Sequence, residues 1–175
     1  ERWDEYHARL LQGLRLLVVV VAPAAAGYLV LAALAVRLAP GTSYEDSSAI
    51  DVARAMVGFA PGLLGFSVYL FVLRGFYAVQ DTRRPFWINL GENAINVVGA
   101  LALTAVTGLL IGLTAAYSVA YLLAAVVALV VLLRHPPSGF DVRGLVRTVG
   151  RTLAACGAMA LAVAVVVVPL VGLDG

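Results

Sequence analysis

The chain is predicted to be all-α, a polytopic membrane bundle of about five transmembrane helices. Apolar residues make up 62% of the 175 positions and charged residues 13%, with a mean hydropathy of +0.98. A soluble domain is nearer half apolar and a quarter charged. The apolar residues gather into five runs, each near the roughly 20 residues needed to cross about 30 Å of hydrocarbon at 1.5 Å per residue. The charges fall between the runs. All twelve basic residues are arginine and the net charge is only +2, so the arginine usage reflects genome composition and the distribution of charge carries the information. The lone cysteine, Cys156, sits inside an apolar run and excludes a disulfide framework or metal cluster.

Residues 1–13 are charged and aromatic, with Trp3, Tyr6, Leu10 and Leu14 at helical spacing on one side. That pattern predicts an amphipathic lead-in at the headgroup level. His7 has no second candidate ligand near it and is read as an interfacial residue, not a metal site. The first span is predicted at 14–36, with Pro23 and Gly27 as kink positions and Arg15 snorkelling to the surface. The loop that follows is broken by Pro40 and Gly41 and made acidic by Glu45, Asp46 and Asp51. Three acids on a loop are a solvated surface more often than a cation site.

The second span is predicted at 50–77. Gly58, Gly62 and Gly65 lie on neighbouring turns of one face, the small-residue pattern that lets helix backbones approach closely in lipid. The turn after it carries Asp81, Thr82, Arg83, Arg84 and Pro85. Arginines here require a water interface. Asp81 and Thr82 are expected to cap the next helix, and Pro85 to open it where a missing N–H costs nothing.

The third span, predicted at 85–106, is the most informative. Asn89, Glu92, Asn93 and Asn96 follow the i, i+3, i+4, i+7 rule and share one face. A polar stripe in a spanning helix turns toward protein or a water-filled cavity. Arg74 precedes the turn by about as many residues as Glu92 follows it, so the two are expected at similar depth. The expectation is a buried Arg74–Glu92 pair, with Asn89 as a third member. Such a pair either holds the hairpin together or takes part in coupling. After a short connection at 107–112, the fourth span is predicted at 113–133, almost featureless apart from Tyr117, Ser118 and Tyr121, the tyrosines being read as interfacial or packing residues. Arg143, Arg147 and Arg151 then repeat every four residues, a face suited to anionic headgroups. The fifth span is predicted at 153–171.

Ten of the twelve arginines fall on the side of the lead-in, the 78–85 turn and the last linker; Arg37 and Arg54 fall on the other. The positive-inside rule therefore puts the N-terminus and that turn in the cytoplasm and the C-terminal end outside. No phosphate-binding loop, nucleophile elbow or zinc-binding helix motif is present, and no nucleophile has a partner base at a recognisable spacing. No enzyme, cofactor, metal or nucleic-acid partner is expected.

The segment Gly13-Leu-Arg-Leu-Leu leading into a Pro-broken helix resembles the ninth spanning helix of the MviN/MurJ lipid II flippases. The stretch Arg74-Gly-Phe-Tyr-Ala-Val-Gln-Asp-Thr-Arg-Arg-Pro85 is similar to that family's Arg-x-Phe-Tyr-Ala-x-x-Asp-Thr-x-x-Pro pattern between helices ten and eleven. The similarity runs on through an Asn-containing helix eleven to helix thirteen. It implies that the chain is part of a fourteen-helix transporter of the multidrug/oligosaccharidyl-lipid/polysaccharide exporter superfamily, in a bacterial cytoplasmic membrane. It implies a lipid-linked peptidoglycan precursor moved to the outer leaflet by alternating access, for cell wall synthesis. The partners implied are membrane lipids, that precursor and the remaining helices of a longer parent polypeptide, from which this chain is expected to be a piece. The family's cationic cavity residues belong to helices outside this stretch, so no substrate-binding residue is carried over. Two other readings stand beside it: a membrane scaffold for regulators of wall synthesis, and an exporter of another lipid-linked glycan.

Overall fold

A computed structural model describes residues 2–38, 47–107, 109–133 and 142–171. They form five helices: α1 (Arg2–Leu38), α2 (Ser47–Ala78), α3 (Arg83–Thr107), α4 (Leu109–Leu133) and α5 (Val142–Val171). Each contains a stretch long and apolar enough to cross a membrane, and no strand occurs among the described residues. The acidic segment at 39–46 and the linker at 134–141 lie outside the described residues, as do the side chains of Trp3 and His7.

The helices pack side by side in the order α3, α4, α2, α1, α5. The α2–α4 seam is the spine. Gly62 and Gly65 of α2 lie against the α4 backbone: a Cβ on Gly65 would come within 2.8 Å of the Leu122 amide nitrogen, and one on Gly62 within 2.8 Å of the Ser118 Cα. Below this notch Tyr69, Val72, Leu73 and Phe76 of α2 fill the space left by Ala124, Ala125 and Ala128 of α4. Ala116, Ala120, Ala124 and Ala128 form one buried i, i+4 stripe, so small residues on one helix receive large ones from the other. Gly99 of α3 packs on Ala116 from the other side. On the far flank, Leu11 and Leu14 of α1 meet Phe71 and Val149, and Val18 and Ala22 meet Cys156 of α5.

Several boundaries differ from expectation. Residues 2–13, expected as an amphipathic lead-in, are continuous with the rest of α1, and their apolar side meets α2. Leu10 and Leu14 are buried, and the Tyr6 hydroxyl donates to the Gly75 carbonyl at 2.6 Å. The basic stretch of α5 likewise runs unbroken into the apolar one. The α3–α4 connection is shorter than 107–112, since helix resumes at Leu109.

Candidate functional site

The α2–α3 turn fixes where the polar face of α3 points. Helix α2 closes with Gln80 in the left-handed region (φ 60°). The Asp81 N–H donates to the Phe76 carbonyl and the Gln80 N–H to the Tyr77 carbonyl, both at 3.0 Å, the paired bonds of a Schellman cap. Asp81 then starts α3. Its Oδ1 accepts the N–H groups of Arg83 (3.1 Å) and Arg84 (3.2 Å), and its Oδ2 lies 3.3 Å from Arg84 Nε. Thr82 contributes its carbonyl, which accepts the Phe86 N–H at 3.3 Å. Because Asp81 draws the arginine amides into the helix, α3 begins at Arg83 and not at Pro85. Pro85 still sits in the first turn, where an N–H has no intrahelical partner, and its ring is fully buried.

Seven residues further on, Glu92 is 3% exposed, and neither carboxylate oxygen has a hydrogen-bond partner among the described residues. Tyr69 of α2, which Asn89 contacts about one turn before Glu92, lies with Tyr117 and Tyr121 of α4. The three rings form one cluster: Tyr117 and Tyr121 centroids are 4.5 Å apart, and Tyr69 and Tyr121 5.9 Å. Phe59 stacks on Tyr117 at 4.6 Å. Asn89 Nδ2 donates to the Tyr69 hydroxyl at 3.3 Å, tying α3 to α2. Asn93 Nδ2 donates back to the Asn89 carbonyl (2.9 Å) and Oδ1 (3.1 Å). Asn96 lies beside the carboxylate without hydrogen-bonding geometry. Glu92 is thus a buried carboxyl group within a candidate membrane span, on the flank of α3 that Asn89 ties to the tyrosine cluster.

The expected Arg74–Glu92 pair does not form. Arg74 is exposed on α2, and no ion pair joins it to Glu92 among the described residues. The depth match fails on azimuth: Tyr69, which faces α3, lies about 140° around α2 from Arg74 at 100° per residue. Helix α4 also fills the α2 groove, leaving α3 to lean on α4 and to touch α2 only slightly.

A family model described as "Lipid II flippase MurJ" matches residues 1–171. The chain belongs to the MurJ lipid II flippase family. No curated protein matches it. The MurJ-family turn signature has a physical basis in this chain: Phe76 is 1% exposed in the core, Asp81 caps, and Pro85 is buried. One contact in this MurJ-family bundle had no counterpart in the expectations from sequence. The Ser118 hydroxyl of α4 bridges two successive α2 groups, accepting the Gly62 N–H at 2.9 Å and donating to the Gly58 carbonyl at 2.5 Å. It lies next to Pro61, whose missing N–H already frees a carbonyl one turn back. Tyr117, Ser118 and Tyr121 were visible as the polar interruptions of an otherwise apolar helix. That the two tyrosines cluster with Tyr69 was not.

Proposed function

We propose that this chain forms part of the second bundle of a lipid II flippase, which carries the lipid-linked peptidoglycan precursor from the inner to the outer leaflet by alternating access. The family match over residues 1–171 carries this reading. Five apolar helices with most of α3 and α5 exposed fit a bundle completed by further helices and lipid. We place the arginine-rich end, with Arg9, Arg83, Arg84, Arg147 and Arg151, in the cytoplasm of a bacterial inner membrane.

Within that bundle Glu92 is assigned a coupling role, with Asn89, Asn93 and Asn96 shaping its surroundings. A carboxylate kept only for packing is normally hydrogen-bonded or paired. Among the described residues Glu92 has neither partner, and an ionisable residue at membrane depth is by default a candidate functional group. Arg74, Arg83 and Arg84 serve the interface and the turn.

The test is complementation. The full-length protein, expressed in cells depleted of their own flippase, should restore growth and the appearance of precursor on the outer leaflet. Membrane-inserted protein that restores neither would overturn the reading.

A further inference from the structure

We propose that the cleft between α1 and α5 binds an anionic phospholipid, with the phosphate against Arg147 and Arg151 and one acyl chain along Val19, Pro23 and Met159. A cleft of about 310 Å³ lies between the two helices. One end is polar, lined by Arg151 and Thr152; the other is apolar, lined by Val19, Pro23, Ala155 and Met159. Val19 and Met159 are 45% and 39% exposed, so the apolar wall is open along its length.

Charge decides the occupant. Arg147 and Arg151 are one turn apart on the same face and both exposed. α5 contains no acidic residue, and neither arginine pairs with a carboxylate among the described residues. Both fall within the first six residues of the apolar stretch that starts at Val146, no more than about 8 Å below its edge at 1.5 Å per residue. Guanidinium groups reach back that far by snorkelling, which sets them at phosphate depth. A helix seated in the cleft would leave two cations uncompensated unless it brought its own acids. A phospholipid supplies both the anion and the hydrocarbon.

The test is native mass spectrometry of the full-length protein in detergent, titrated with dioleoylphosphatidylglycerol or dioleoylphosphatidylcholine. The wild type should hold phosphatidylglycerol in preference, and excess inorganic phosphate should not displace it. Arg147→Gln/Arg151→Gln should bind it about 25-fold more weakly, at roughly fivefold per arginine. Ala155→Trp, which fills the apolar end and keeps both charges, should weaken it as well. Phosphatidylglycerol bound as tightly by either variant as by wild type, or displaced by free phosphate, would overturn the proposal. The readout involves no transport, so it is independent of what the protein carries.

Discussion

Asn89, Glu92, Asn93 and Asn96 share a flank of α3 but not an environment. Taking Glu92 as zero at 100° per residue, Asn96 lies about 40° around the helix, Asn89 about 60° and Asn93 about 100°. Burial falls in that order: Glu92 is buried, Asn96 half-buried, Asn89 and Asn93 exposed. The stripe was therefore legible in the spacing, but its expected inward turn holds only for Glu92 and in part for Asn96, while Asn89 and Asn93 are exposed. The partner of Glu92 was not legible, because residue counting gives depth while the rotation of a neighbouring helix depends on packing across the whole seam. Arg74 shows the consequence. As an exposed and unpaired residue it should be dispensable for folding: Arg74→Gln should change stability by less than about 0.5 kcal/mol in a thermal unfolding series. A loss of several kcal/mol would mean that it has a buried partner. Tyr6 behaves differently, because burial raises its phenol above the usual 10.0. The native state then favours the neutral hydroxyl that donates to Gly75. Its contribution should be complete below pH 10 and fade as pH climbs through the raised native value. The stability gap between wild type and Tyr6→Phe, about 1 kcal/mol, should close only in that alkaline range.

Between elements, the α2–α4 seam holds the site in place. Gly58, Gly62 and Gly65 signalled a close helix contact in the sequence, but α4 did not declare itself as the partner. Its buried stripe is alanine, which is ordinary in any helix, and its one polar contact is a serine between two tyrosines. The seam makes a graded prediction. Gly65→Ala should be the most damaging change, since its Cβ meets the Leu122 and Tyr121 backbone at 2.8–2.9 Å and forces the helices apart. Ser118→Ala should cost about 1 kcal/mol, in the range of interhelical hydrogen bonds in membranes, because Gly58 and Gly62 are i, i+4 neighbours that satisfy each other when the hydroxyl leaves. Gly91→Ala, with nothing within 4 Å of the new methyl, should be neutral or stabilising. Unfolding of the three variants in mixed micelles would check the order; equal effects would mean that α2 and α4 are not in close contact.

For the molecule as a whole, hydropathy was sufficient for five crossings, and the arginine count for a common end to α1, the α2–α3 turn and α5. Neither predicts the order α3, α4, α2, α1, α5, because apolar helices look alike in sequence and neighbours are chosen by notches a residue or two wide. That order leaves α3 and α5 as the outer helices. α3 buries its acid, and α5 leaves Arg147 and Arg151 exposed.

The central claim is that Glu92 works in transport and is not there to hold the bundle together. It is tested by measuring outer-leaflet lipid II per unit of folded, membrane-inserted full-length protein for wild type and Glu92→Gln. Replacing a buried carboxyl group that has no partner among the described residues with an amide of the same shape should leave stability unchanged or raised, while flipping falls about tenfold or more, at least 1.4 kcal/mol in barrier. Flipping at the wild-type rate, or a loss of flipping that merely follows a loss of fold, would contradict it.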